Sequence, residues 1–328
     1  VPDSDASAGR DAARLALLEA LSRRGYRFTA PAPSTHRRVL LRRLSSQAQT
    51  LEDVLGWNMP FAAGGPLADL VPLLDRAGLL ARRGRRLVST LRVASVGPLL
   101  FYHSAFPARA RDSVFLGPDS YRFVDLIRAH APPLGAGALI ADIGAGAGVG
   151  GVFAGRLWPG ARVVLSDVNP RALDLARLNA AFAGVAVETR QGAGLPQTPG
   201  LFDLVVANPP YLGGSPGKTY SDGGGALGAA VSLDWTRQTL PRLAPGGRFI
   251  LYTGSAIVAG RDALADGLAD LAARTDCTLT YAELDPDVFP STLIHRAYWR
   301  VERIAAVGAV FTRAPRSEPR GSSHVPPS

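Results

Sequence analysis

The chain of 328 residues holds a single cysteine, Cys277, and a single lysine, Lys218. A lone cysteine excludes an internal disulfide and a thiolate metal cluster, and it fits a reducing, cytoplasmic setting. Five scattered histidines give no metal-ligand spacing, so no metal is expected. No apolar run approaches the roughly 20 residues of a membrane span. The opening Val1-Pro2-Asp3 is not a basic stretch followed by an apolar one, so neither an anchor nor a signal peptide is expected. Charged residues make up 19% against 47% hydrophobic ones, which is the composition of a folded protein.

The positive charge that is present comes almost wholly from arginine, and the net charge is +9. Residues 1–100 hold 15 Arg against 8 Asp and Glu, a net of +7. A basic appendage attracts phosphate or an acidic protein surface. An arginine bias amid abundant Ala, Gly and Pro also follows from a GC-rich genome, so charge alone leaves the partner open.

At roughly 150 residues per domain the length suits two domains. In residues 1–92 the spacing predicts helices over 11–24, 35–49 and 66–77, with a short one beginning at Thr50. The segment Leu79–Val88 reads as two strands around Gly84. Helices closed by a basic hairpin suggest a winged-helix-like module that recognises substrate. Trp57 within it reads as a packing anchor. Residues 93–118, with an apolar run from Val93 to Phe101, read as a connector, and 1–9 and 314–328 as loose Ser/Pro/Gly-rich tails.

Residues 119–313 alternate strands and helices. Strands are expected at 138–143, 162–166, 185–190, 202–207, 247–253, 277–283 and 304–312, with helices such as 170–183 and 261–275 between them. This predicts an α/β fold with a seven-stranded, mostly parallel, Rossmann-like sheet covered on both faces. Ligands then belong at the carboxyl ends of the strands.

Two motifs sit at such ends. The strand Ala138–Ile143 carries Asp142 and runs into Gly144-Ala145-Gly146-Ala147-Gly148, where glycines allow a sharp turn and bare peptide groups against a ligand. Asp142 is unusual in a buried strand and either receives a cationic amine or orders the loop. Twenty-five residues on, the strand Arg162–Ser166 ends in Asp167, suited to accepting hydrogen bonds from ribose hydroxyls. Gly146-Ala-Gly148-Val-Gly150-Gly151 also matches the dinucleotide pattern, so an NAD-dependent oxidoreductase is an alternative. Against it, an acid precedes the turn and the helix begins near Val149.

The third motif is the most informative. The strand Phe202–Ala207 runs into Asn208-Pro209-Pro210-Tyr211. Two prolines hold the backbone rigidly and offer no amide donors. The Pro209 carbonyl is then a fixed acceptor beside the Asn208 side-chain oxygen, and Tyr211 offers a flat face for stacking. Two acceptors and a platform suit an –NH2 group whose lone pair is delocalised, as in an amide or an aromatic amine. Hydrogen bonds from both N–H groups favour the pyramidal, more nucleophilic nitrogen.

Together these residues resemble the class I methyltransferases that carry an N-P-P-Y motif. These include the glutamine methyltransferases of release factors and the adenine or guanine N-methyltransferases of DNA, rRNA and tRNA. The resemblance covers about residues 120–313. It implies S-adenosylmethionine as donor, held by Asp142, Gly144, Ala145, Gly146, Gly148, Asp167, Val168, Asn169 and Asn208. It also implies an acceptor nitrogen positioned by Asn208, Pro209, Pro210 and Tyr211. Many relatives place an acid after the third strand to contact the donor adenine. Here the stretch is Gln191-Gly192-Ala193-Gly194, which leaves a backbone group for that task.

Around these motifs, Tyr220 and Asp222 in the Gly-rich stretch after Lys218 are further candidate substrate contacts. Asp285 and Asp287 read as solvated loop acids, and His103 and His295 as structural. The expected partner is a macromolecular substrate, RNA or protein, with a small metabolite as the alternative. A binding protein that has lost catalysis is a remoter one, and the oligomeric state is left open.

Overall fold

The protein is described by a computed structural model covering residues 2–43, 47–108, 110–212 and 226–316. Tyr220 and Asp222 lie outside these residues.

The N-terminal region is mainly helical. Helix α1 (Pro2–Arg23) begins earlier than its apolar spacing suggested. Helix α2 (Pro33–Arg42) has a proline in its first turn, and a π-helical turn spans Glu52–Gly56. After α3 (Leu70–Arg76), strands β1 (Leu80–Arg83) and β2 (Arg86–Ser89) form an antiparallel hairpin around Gly84, at φ 61°. Left-handed backbone of this kind is cheapest for glycine.

The apolar run expected to be a plain connector is instead a second hairpin. Strands β3 (Leu91–Val96) and β4 (Leu99–Ser104) pair antiparallel across Gly97-Pro98. Both are buried along nearly their whole length. Burial on both faces explains why the run shows no polar alternation.

The second part opens with α4 (Pro118–His130) and then alternates. In order come β5 (Leu139–Ile143), α5 (Val149–Leu157), β6 (Arg162–Asp167), α6 (Pro170–Phe182), β7 (Val187–Gln191) and β8 (Phe202–Ala207). These are followed by α7 (Ala230–Thr239), β9 (Leu243–Val258), the two-residue β10 (Arg261–Asp262), α8 (Ala263–Ala273), β11 (Cys277–Asp285) and β12 (Arg303–Arg313). All seven expected strands are present, and β9 is longer than its apolar centre indicated. They form one sheet in the order β7-β6-β5-β8-β9-β12-β11, with β10 pairing only with β9. Strands β5 to β9 are mutually parallel, and β12 runs antiparallel to both its neighbours.

Side chains of β5 alternate between two cores, as a strand buried on both faces requires. Ile140 joins the core that contains Phe123 of α4 and Val152 of α5. Leu139, Ala141 and Ile143 join the core that contains Leu264 and Leu268 of α8. The chain crosses over beside β5, whose neighbours are β6 on one side and β8 on the other. This is the switch point at which such sheets leave a crevice. No helix among the described residues is long and apolar enough to cross a membrane.

Candidate active site

The strand register brings the three motifs together. Ile143 of β5 pairs with Ser166 of β6 and with Ala207 of β8. The next residue on each strand is a motif residue: Gly144, Asp167 and Asn208. They therefore leave the sheet level with one another, at strand spacings of about 4.8 Å.

Beyond these ends lies a cavity of about 850 Å³. It is lined by Asp142, Gly144, Ala145, Gly146, Asp167, Val168, Asn169 and the whole run Asn208–Tyr211. Of the residues expected at the donor, only Gly148 is absent from the wall. It caps α5 in a left-handed conformation, φ 80°, where a Cβ would press on Ala176. Its service is to pack the loop on α6.

The glycine loop is built by hydrogen bonds from the acids beside it. Asp167 accepts the Gly146 amide at 2.9 Å through one oxygen and the Asn169 amide at 2.9 Å through the other. Burial raises its pKa, and those amides together with that of Val168 pull it back. Asp142 is 1% exposed and accepts the Gly151 amide at 2.7 Å. Burial, and to a smaller extent the charge of Asp167, pushes it up to about 7 against the Gly151 hydrogen bond. So Asp142 does order the loop, and it also faces the cavity. Asn169 caps α6, accepting the Arg171 amide at 3.1 Å while donating to the Asp112 carbonyl.

The stretch that lacks the usual acid, Gly192-Ala193-Gly194, lines the same cavity. The Gly194 carbonyl accepts from Ser166 at 3.0 Å, and the Gly192 amide donates to the Asp167 carbonyl. Only backbone from this segment is available to a ligand edge.

Tyr211 is more enclosed than a free platform. Its ring is 8% exposed, packs edge-on against Phe289 at 5.8 Å, and occupies the space that a Cβ on Gly254 would need. Its hydroxyl is buried near Asp119, and burial foremost, then the Asp119 and Tyr252 charges, holds it protonated.

Several residues of this wall were missed by sequence reasoning. Asp119 is 4% exposed and accepts the Tyr252 hydroxyl at 2.8 Å. Arg122 lies 3.7 Å from it and pairs with Asp285 at 2.6 Å, so Asp285 is an ion-pair partner and not a free loop acid. Burial raises the Asp119 pKa against the hydroxyls of Tyr252 and Tyr211 and the charge of Arg122. Trp235 of α7 covers Gly144, where a Cβ would collide with its indole. Phe289 also lines the wall, in a left-handed conformation at φ 58°. His103 is fully buried outside the cavity, and His295 is exposed.

The N-terminal region reaches both the loop and the cavity. Asn179 of α6 accepts the Tyr102 amide at 2.8 Å and donates to the carbonyls of Tyr102 and Ala147. One buried amide thus ties β4 to the glycine loop. His36, Arg37, Arg92 and Phe106 line the cavity from that side.

Known proteins bear on this geometry. The family model described as "Methyltransferase small domain" matches residues 126–221. A release factor glutamine methyltransferase of Cereibacter sphaeroides is 31% identical over 195 residues, covering 55% of this chain and 66% of that protein. Methyltransferase HEMK2 of Mus musculus is 30% identical over 154 residues, covering 44% of this chain and 72% of that protein. The chain belongs to the class I S-adenosylmethionine-dependent methyltransferases.

A ribosomal RNA small subunit methyltransferase C of Ectopseudomonas mendocina is 40% identical to this methyltransferase over 86 residues, covering 26% of each chain. The chain thus spans just under two thirds of the glutamine methyltransferase and about a quarter of the rRNA one. A solved Thermus thermophilus 16S rRNA N2 G1207 methyltransferase is 17% identical, covering 75% of this chain and 62% of that one, with a TM-score of 0.45. The NAD alternative is set aside by the family.

Proposed function

We propose that the protein methylates a planar nitrogen, a protein glutamine amide or a nucleobase amine, at the cavity above β5, β6 and β8. One observation carries this. The glycine loop, Asp167 and Asn208 start from residues in register, so one cavity offers both a nucleoside cradle and the Asn-Pro-Pro-Tyr acceptor site.

The cradle fits S-adenosylmethionine. Gly144 and Gly146 have positive φ and bare backbone towards the cavity, Val168 is an exposed apolar contact, and the buried Asp142 can meet an amine. Asp167 is placed for the ribose hydroxyls and the backbone of 192–194 for the adenine edge. When bound, the donor supplies a methyl group on a positively charged sulfur.

The chain's part is to place and activate the nitrogen. The Asn208 side-chain oxygen and the Pro209 carbonyl accept its two N–H groups, and Pro210 keeps that backbone rigid. Acceptors fixed in advance act where positive charge develops on the nitrogen. Tyr211, held by Phe289 and Gly254, sets the wall beside them. No strong base is required if the proton departs after attack.

The substrate class is tested by supplying the purified protein with radiolabelled S-adenosylmethionine and an extract of its source cells, split into RNA and protein. Label that survives protease but not ribonuclease identifies RNA, whereas one labelled protein band identifies a protein amide. Label confined to small molecules would overturn the macromolecular reading. The RNA outcome is favoured by the basic hairpin, in which Arg83, Arg85 and Arg86 are exposed.

A further inference from the structure

The wall contributed by the N-terminal region contains a buried cation that no carboxylate pairs with among the described residues. Arg92 lies on β3, directly across the hairpin from His103 of β4, and it is 6% exposed. Its Nε donates to the Ser104 carbonyl at 2.9 Å, and one terminal nitrogen lies 3.2 Å from His36 Nδ1. The other side of the His36 ring faces the Trp57 carbonyl at 3.0 Å, so Nε2 carries the proton and Nδ1 accepts from Arg92. The guanidinium also lies over the Phe106 ring at 5.9 Å, and that ring stacks on His36 at 4.2 Å.

Among the described residues no carboxylate pairs with Arg92. The other titratable groups of this cluster are neutral. Tyr26 and Tyr121 are phenols, held protonated mainly by burial. His36 is pushed down to about 4 by burial and by Arg92 itself, and His103 well below its usual value by the same causes. The cluster therefore carries one positive charge. Arginine does not relieve burial by losing its proton, and an unpaired buried charge is costly enough that native proteins pair it. The first turn of α2, which shares this part of the wall, contains no acid and has no side-chain cap. The positive end of its dipole adds to the potential there.

We propose that Arg92 forms a subsite for an oxyanion in the part of the cavity wall shared with His36 and Phe106, so that the molecule methylated carries a phosphodiester or carboxylate. A planar guanidinium suits such a group because it offers parallel N–H donors to two oxygens. This rests on the reading that donor and acceptor share the cavity.

The test is thermal unfolding of the full chain, with and without S-adenosylhomocysteine, in dimethyl phosphate, acetate or chloride at equal ionic strength. The expected result is a saturating rise of about 2 °C over chloride in at least one of the two oxyanions. The ion that gives it tells phosphodiester from carboxylate. Arg92→Met should abolish that rise while keeping the rise given by S-adenosylhomocysteine. Arg92→Lys, which keeps the charge without the fork, should reduce it, and it serves should the methionine variant not fold. A rise from S-adenosylhomocysteine with none from either oxyanion, or an oxyanion rise unchanged in both variants, would overturn the subsite. No response to S-adenosylhomocysteine in the unaltered protein would instead count against the donor site.

Discussion

At the scale of single residues, Asp142 has the most to say about the site. An ordinary aspartate titrates near 4, and this one is pushed up to about 7, chiefly by burial. Between those values the folded protein keeps a proton that the unfolded chain has lost. The ligand-free protein therefore loses stability as pH rises through that window. A cationic amine beside the carboxylate favours its ionised form. Donor affinity is then expected to rise between about pH 6 and about pH 8, with proton release on binding. Calorimetric titration of S-adenosylmethionine in two buffers measures both. Asp142→Asn keeps an acceptor for the Gly151 amide and should flatten the dependence. An unchanged pH profile in that variant would locate the titrating group elsewhere. Asp167 shares its oxygens between two loop amides, so its replacement should disturb the loop as well as the ribose contact.

At the scale of elements, Asn179 couples the hairpin β3–β4 to the glycine loop through three hydrogen bonds. Asn179→Ala leaves two Tyr102 groups and the Ala147 carbonyl without that partner in a fully buried place. A loss of about 2–3 kcal/mol in urea unfolding is expected, with weaker donor binding by the folded fraction. A change below about 0.5 kcal/mol would show that water or local shifts replace the amide. This coupling was not legible in the sequence, because an asparagine inside a helix gives no sign of partners 32 and 77 residues away.

The elements that could be read were those with a local cause. Strands β5, β6 and β8 announce themselves by apolar runs ending in special residues, and α6 by the Asn169-Pro170 start. The hairpin β3–β4 was hidden because burial on both faces erases alternation. Asp119, Arg92 and Trp235 were missed for a different reason. Each is an ordinary residue in its own element and becomes part of the wall only through tertiary packing. Tyr211 shows the converse. Its place beside Asn208 was legible, but its enclosure by Gly254 of β9 and by Phe289, between β11 and β12, depended on segments that follow later in the chain.

At the scale of the whole molecule, the excess of arginine lies in the first third, and that third supplies one side of the cavity. If the substrate is RNA, the exposed arginines of the β1–β2 hairpin supply phosphate contacts. Replacing Arg83, Arg85 and Arg86 by serine should leave donor binding intact, weaken labelling of RNA, and flatten its salt dependence by up to about three charges. Equal labelling at low and moderate salt by both proteins would mean that the hairpin serves another surface. These arginines are remote from the donor loop in sequence and sit on a separate two-stranded sheet, so stability should change little.

Asn208 leaves the sheet level with Gly144 and Asp167, where the proposed acceptor site meets the proposed donor cradle. The decisive measurement is methyl transfer and donor binding by Asn208→Ala beside the unaltered protein, using whichever extract fraction is labelled. Transfer lowered by at least about 10²-fold is expected, as for loss of one fixed polar contact at a developing charge, with S-adenosylmethionine affinity largely kept. Transfer within a few-fold of the unaltered protein would contradict that expectation and move the acceptor nitrogen away from Asn208 and Pro209.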